Sequence, residues 1–575
     1  MLFNNLKKTL NILTYKEKIN FLFISLITFV VTFFELISLG SIPVYISLIF
    51  DPSLINKYLI KKNLSNFENV HDSENFIYYS SFFLVAVFLI KNIFISISYF
   101  FNIKFIFNLR IRLGKQIYKN NIYSDYLNHI ERSPAELIRN HNEITRFSGL
   151  IGHYQRLLLE IVLLTLLLIV TLNVYFEITI LFFGLFSIFF LIYFISIRKW
   201  LNAAGIKQQV YKKIEFSLLD KTFSGIKEIK LNLKENFFKK LFNDNYFKMN
   251  RLIFLIDLIN KVPKISLEML AIITITVISV FFYQSDLSNT EIISSLSFLS
   301  VVAIRFIPAF NGISMAAAAI KYVKPSLDII EKDLKNISNY SKSINKKVEH
   351  YSNKIKNIKL ENLTFNYGVR NNSLLENVNF VIEENDKIGI FGKSGSGKTS
   401  IINLITGLIE PIKGNIYFNE INIRDKINIF YNKISYVTQD NILFDDSILN
   451  NITFNSKTID KSKLDKVIKI CKLNEFIKDS SQGIDLNIGE KGLKLSGGQK
   501  QRIGIARALY KNFDILILDE ATSAINKDYE KEILQSINEN FNDKIIIIVS
   551  HNSNNFKSCN KIISIKNNNL QIENS

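Results

Sequence analysis

At 575 residues the chain exceeds what one hydrophobic core organises, so two or more domains are the default. Its 48% hydrophobic and 13% aromatic content, with 48 Phe, departs from soluble globular usage and points to membrane segments. The net charge of +19 invites a nucleic-acid partner, but no short basic–aromatic array stands out, so no nucleic acid is expected; the only cysteines, Cys471 and Cys559, imply no disulfide framework.

Residues 3–18 mix apolar and basic side chains at helical spacing, which suits a short helix lying on the inner leaflet. The run Phe21 to Phe50 is too long for a signal-peptide core and lacks a small-residue cleavage site. It reads as a retained transmembrane helix, with Pro43 free to bend its outer part. Further spans are expected at Ile77–Phe101, Leu157–Leu172, Ile178–Ile197, Ile265–Phe282 and about Ile292–Ala319, making about six crossings.

Loop charge sets the orientation. The connection 104–146 carries Lys104, Arg110, Arg112, Lys115, Lys119, Arg132, Arg139 and Arg146, and 198–251 is similarly basic. The connections 173–177 and 283–291 contain no Lys or Arg. Both termini and the two long connections are therefore expected in the cytoplasm. The loop 51–76 faces outside and has room for a short helix at Leu54–Leu64. The long connections keep helical apolar periodicity, as in Ile226, Ile229 and Leu233. They read as extensions of the membrane helices, turning near 121–128 and 222–228, because unstructured loops of that length are uncommon.

An Asn/Ser/Lys-rich stretch, 333–354, reads as a linker between a transmembrane domain (1–332) and a soluble α/β domain (355–575). The second domain opens with strand-like alternation and then gives Gly392-Lys393-Ser394-Gly395-Ser396-Gly397-Lys398-Thr399, G-x-x-x-x-G-K-T between an apolar strand and an apolar helix. Glycines let successive N–H groups turn inward onto phosphate oxygens at the positive end of a helix dipole. Lys398 is placed to reach the β- and γ-phosphates and Thr399 to hold Mg²⁺. Four motifs follow: Gln439 at a strand end; Ser496-Gly497-Gly498-Gln499 opening a helix; Ile515–Leu518 delivering Asp519 and Glu520; and Ile545–Val549 leading to His551. Asp519 suits Mg²⁺, with Gln439 nearby, and Glu520 the orientation or deprotonation of an attacking water. His551 and Gln439 are placed to sense the γ-phosphate. The Ser-Gly-Gly turn is a second anion-binding nest.

With Leu495 completing an LSGGQ sequence, the chain resembles an ATP-binding cassette (ABC) exporter half-transporter over its whole length. The resemblance implies an ATP-hydrolysing translocase with ATP and Mg²⁺ as cofactors and Tyr367 stacked on adenine. It also implies coupling helices at 121–128 and 222–228. In that family the signature of one subunit closes over ATP held by another, so a homodimer in a bacterial inner membrane is implied, with a heterodimer left open. One departure stands out: Ser523-Ala524-Ile525-Asn526 replaces the usual Ser-Ala-Leu-Asp, so Asn526 lacks a carboxylate.

For the cargo, Lys91, Lys264 and Arg305 fall at or near membrane depth, where cations are costly and normally face a cavity. Pairing with Glu35, Glu160 or Glu268 at similar depth is the competing reading. If the cations line one cavity in a dimer they form a basic belt suited to phosphate or pyrophosphate. Glu35, Pro263-Lys264 with Leu267-Glu268, and Arg305 before Pro308 resemble the bacterial flippase of lipid-linked oligosaccharides. Export of a lipid A-type lipid, a peptide or a drug is the alternative, and a receptor or channel carrying a regulatory ATPase is a second.

Overall fold

The computed structural model describes residues 2–50, 73–174, 176–283, 289–338, 351–366, 374–393, 395–424, 426–566 and 569–574. The expected outer helix at Leu54–Leu64, Tyr367, Ser394 and linker residues 339–350 lie outside them. The chain divides into two compact units: Met1–Ser124 with Glu131–Lys342, and Asp125–Ile130 with Ser343–Ser575.

The first unit is helical. Its elements are α1 (Leu2–Ile12), α2 (Tyr15–Phe50), α3 (Ser73–Ile122), α5 (Pro134–Val174), α6 (Phe176–Ser224), α7 (Ile226–Leu231), α8 (Glu235–Tyr283), α9 (Asn289–Tyr322) and α10 (Lys324–Ser338); α4 (Tyr126–Glu131) belongs to the second unit apart from its last residue. Among the described residues, six helices are long and apolar enough to cross a bilayer, at Tyr15–Ile46, Tyr78–Ile122, Pro134–Asn173, Phe183–Ser224, Glu235–Val280 and Ser300–Tyr322. Each overlaps a predicted span, and Pro134–Asn173 contains its expected span whole. The 50 residues of α3 reach about 75 Å at 1.5 Å per residue, more than twice the ~30 Å hydrocarbon core. The predicted extensions are thus continuous with the membrane helices. Pro43, Pro263 and Pro308 lie inside helices, which packed membrane helices tolerate.

Among the described residues, the two largest apolar clusters of the first unit are these. One joins Phe105, Leu109, Leu113 and Ile117, a four-residue spacing along one stripe of α3, to Ile144, Phe147 and Ile151 of α5 and Leu327 of α10. The apolar side of α1 packs into this core through Leu6 and Leu10, and Lys8 binds Asp328 and Glu331 at 2.9 Å each. The helix expected on the leaflet is therefore clamped to protein. The second core stacks Phe183 and Phe186 edge-on against Phe306, at 4.9 and 4.8 Å, with Leu167 and Leu267. The helix α10 runs into the predicted linker, since residues 333–338 are helical.

The second unit has a four-stranded antiparallel sheet, order β2 (Leu375–Glu383), β1 (Asn357–Phe365), β4 (Lys413–Phe418), β5 (Ile421–Asn422). A six-stranded sheet has the order β10 (Asn569–Asn574), β9 (Lys561–Lys566), β3 (Lys387–Phe391), β8 (Ile545–Val549), β7 (Ile515–Asp519), β6 (Ile434–Val437). Strands β9, β3, β8, β7 and β6 are parallel. Every residue of β7 and β8 is buried, as expected of central strands covered on both faces. Alternation sorts them: Ile515, Ile517, Ile545 and Ile547 enter the core containing α11 (Lys398–Ile405). Leu516, Leu518, Ile546 and Ile548 enter the core of α12 (Gly497–Tyr510) and α13 (Lys527–Asn540).

Candidate functional site: the carboxyl edge of the parallel sheet

The register brings four strand ends to one edge. Ile390 and Asp519 both pair with Val549, and Val437 pairs with Leu518. The residues that follow each strand, Gly392, Glu520, His551 and Gln439, therefore emerge together, where open α/β sheets bind ligands.

Gly395 and Gly397 hold φ of +79° and +102°, a left-handed backbone that glycine adopts without a Cβ clash. A Cβ on Gly392 would lie 2.6 Å from Ser396 Oγ. Gly397 caps α11, so the loop ends on a helix N-terminus. Lys398 is buried and its Nζ donates to Gly392 O at 2.7 Å, folded back across the loop. Burial lowers its pKa, opposed by Glu520 and Asp519. Thr399 is exposed, and Lys393 and Gly395 lie on the open side.

Glu520 anchors the opposite wall. Its φ of +49° is a strained setting for a non-glycine residue, and its N–H bonds Val549 O at 3.0 Å. His551 Nε2 lies 2.8 Å from Glu520 Oε1 and 3.3 Å from Lys398 Nζ. Gln439 Nε2 donates to Glu520 Oε2 at 2.9 Å. The structure thus brings Lys398, Glu520, His551 and Gln439 into one bonded chain. Asp519, beside them, is buried and accepts from Tyr436 OH at 3.0 Å. Burial raises its pKa, the Tyr436 bond lowers it, Glu520 raises it and Lys398 lowers it. Tyr436 is a site residue that sequence reasoning missed; it sits at the end of a strand, three positions before Gln439, which was its only signal.

A polyphosphate fits this cradle. Ser396 Oγ is buried without a hydrogen-bond partner, Lys398 has turned to a backbone carbonyl, and the glycines leave the loop's interior free of Cβ atoms. Thr399, Asp519 and the Gln439 carbonyl are hard oxygen donors of the kind Mg²⁺ takes.

The signature residues lie elsewhere. Ser496 caps α12 in a full capping box with Gln499, at 3.3 and 2.8 Å, leaving Ser496 and Gly497 exposed. Gly498 packs against the Ala524 carbonyl, where a Cβ would come within 3.0 Å, and Gln501 ties the helix to Ser523 and Ala524. No hydrogen bond or ion pair among the described residues links Ser496–Gln499 to the phosphate loop. Asn526 is the N-cap of α13, its side chain accepting from Asp528 N at 3.2 Å, a role Asp fills equally.

Of the three membrane cations, Arg305 sits among carboxylates: Nε is 2.9 Å from Glu35 Oε1, and Nη2 is 3.0 Å from Glu35 Oε2 and 3.5 Å from Glu160 Oε2. Glu160 also fills the space over Gly312. Lys264 faces Glu268 at 3.8 Å on a largely exposed stretch of α8. Lys91 Nζ lies 4.3 Å above the Phe88 ring. No bond among the described residues joins the three.

Residues 375–523 match the family model for ABC transporters, and the second unit is an ABC-type ATPase domain. The ATP-dependent lipid A-core flippase of Pasteurella multocida (strain Pm70) is 30% identical over 300 residues, 48% of this chain and 51% of that protein. A putative multidrug export ATP-binding/permease protein of Staphylococcus aureus (strain bovine RF122 / ET3-1) is 36% identical over 211 residues, 36% of each. The chain thus spans about half the length of the first relative and about a third of the second. A solved bacterial Atm1-family ABC exporter with ATP bound superposes with TM-score 0.73 at 17% identity, covering 97% of this chain and 95% of that one. The chain therefore has the ABC exporter fold: six candidate membrane helices followed by an ABC ATPase domain.

Proposed function

We propose that this chain is one half of an ATP-hydrolysis-driven exporter or flippase that works as a homodimer by alternating access in a bacterial inner membrane. Its termini and ATPase domain lie on the cytoplasmic side. The observation that carries this reading is the bonded chain Lys398–His551–Glu520–Gln439 at the edge of the parallel sheet, in the same polypeptide as six membrane-length helices.

Lys398, the loop N–H groups and Ser396 bind the phosphates; Glu520, oriented by His551 and Gln439, positions and deprotonates water. Thr399, Asp519 and Gln439 would hold Mg²⁺, whose positive charge would offset the negative charge of the phosphates. The uncovered Ser496-Gly497 at a helix N-terminus supports completion of each site by a second copy. The tip around α7 exposes Phe223, Leu231 and Leu233 at 69%, 75% and 81%, which supports a partner's ATPase domain covering it.

The proposed cargo is a lipid-linked glycan carrying phosphate or pyrophosphate, such as a lipid-linked oligosaccharide. Lys91, which has no ion pair among the described residues, supports it, whereas Lys264 faces Glu268 and Arg305 is held by Glu35 and Glu160. Arg156 also acts on Glu160, so the cluster sets two cations against its two carboxylates. The test is ATP-driven translocation in proteoliposomes of a labelled polyprenyl-pyrophosphate glycan, with lipid A and a cationic drug as competitors. Wild type flips the glycan and Glu520→Gln binds ATP but falls by about 10² or more, the scale of a lost general base. Translocation by Glu520→Gln at the wild-type rate contradicts the pump and points to an ATPase-regulated channel or receptor.

A further inference from the structure

A cavity of about 230 Å³ opens in the first unit between α2 and α3. Its walls are two helical faces: Asn20, Phe23 and Ile24 on α2, and Phe101, Lys104, Phe105 and Asn108 on α3, each set spaced by three or four residues. The helices run in opposite directions here, and two contacts fix their register. Phe23 meets Phe101 edge-on at 5.8 Å, and Arg112 Nε binds Glu17 Oε1 at 2.6 Å. Asn20, Lys104 and Asn108 fall between those levels. The cavity is therefore aromatic at the Phe23/Phe101 end and polar at the Glu17 end.

This level is also where both helices change solvent. On α2 the charged start Tyr15-Lys16-Glu17-Lys18 gives way to the apolar run from Phe21, and on α3 the apolar run ending at Phe101 gives way to the basic extension. In a bilayer such a transition lies at the headgroups. Charge within the cavity is one-sided. Glu17 is committed, Oε1 to Arg112 and Oε2 to the Thr14 N–H at 2.8 Å. Lys104 is exposed, lies 5.5 Å from the Phe100 ring, and has no ion pair among the described residues.

The geometry points to a binding site for an anionic phospholipid of the cytoplasmic leaflet. Its headgroup phosphate is held by Lys104 with the amides of Asn20 and Asn108, and its first acyl carbons lie over Phe23 and Phe101. The site is separate from the ATP edge and from the Arg305 cluster. It rests on the transporter reading only in requiring that the six helices cross a bilayer.

The test uses the full-length protein purified with co-extracted lipid, with bound phosphatidylglycerol and phosphatidylcholine counted by native mass spectrometry and titrated in nanodiscs. Wild type is expected to prefer phosphatidylglycerol, and Lys104→Ala to weaken it about fivefold, the ~1 kcal/mol of one lysine at an anionic surface. Lys104→Glu should weaken it further. Lys16→Glu, an exposed cation on α2 outside the cavity, should leave it unchanged, as should millimolar glycerol phosphate. Retained binding in Lys104→Glu, equal loss in Lys16→Glu, or displacement by glycerol phosphate each overturns the proposal. Basal ATPase of Lys104→Ala and Asn108→Ala checks that the variants are folded. ATPase or transport lost in a variant that still binds the lipid would bear on the transporter reading, not on this site.

Discussion

Two side chains carry the sharpest residue-scale consequences. Arg305 is held between Glu35 and Glu160 with only about a fifth of its side chain exposed. Replacing it with Ala leaves two carboxylates facing each other in low dielectric, where removing one partner of a buried ion cluster costs about 3–5 kcal/mol. Arg305→Ala should therefore lower the melting temperature in detergent, and adding Glu35→Gln should restore part of it. Equal melting of Arg305→Ala and wild type would show that the cluster carries no stability. Tyr436 acts through Asp519. Its hydroxyl favours the ionised carboxylate against the burial that raises Asp519's pKa, and in the proposed site only the ionised form would take Mg²⁺. Tyr436→Phe should raise that pKa further and move the acid limb of Mg²⁺-dependent ATP binding to higher pH. An unmoved limb would leave Tyr436 a packing residue.

At the scale of elements, what was legible followed from periodicity and from motifs with fixed context. Runs such as Ile545–Val549 read as buried strands because a parallel sheet covers both faces, and Lys398, Glu520, His551 and Gln439 follow because the sheet delivers them to one edge. What sequence left open depended on contacts between distant segments. The choice between a basic belt and ion pairing at Arg305 turns on Glu35 and Glu160, 270 and 145 positions away. The docking of α1 on α10 is likewise invisible to local amphipathicity, which is the same for a leaflet and for a protein groove. The tip at α7 supplies the element-scale prediction. Leu231→Glu with Leu233→Glu alters only exposed side chains, so stability should stay within about 0.5 kcal/mol. Transport coupling should fall with it, read as lost stimulation of ATPase by cargo. Unchanged stimulation would remove the tip from the coupling path.

At the scale of the whole molecule, the two halves of the proposed ATP site lie apart in one chain. The glycine loop and the bonded wall of Lys398, His551 and Glu520 stand together, and the turn at Ser496-Gly497 is exposed, with no bond among the described residues joining it to that loop. In the proposed homodimer, a two-fold pair would supply each cradle with the other copy's signature and join six helices to six. Asn526 is compatible with such an active pair, because the side chain keeps its capping bond to Asp528. The most direct measurement is ATPase of mixed dimers. Lys398→Ala removes the phosphate lysine from one chain and Gly497→Asp spoils the signature of the other, so each variant alone should be inactive. Mixed in equal amounts and co-reconstituted, half of randomly paired dimers carry one complete site, and activity should return to about a quarter of wild type. No recovery above the two parents would contradict a site shared between two copies.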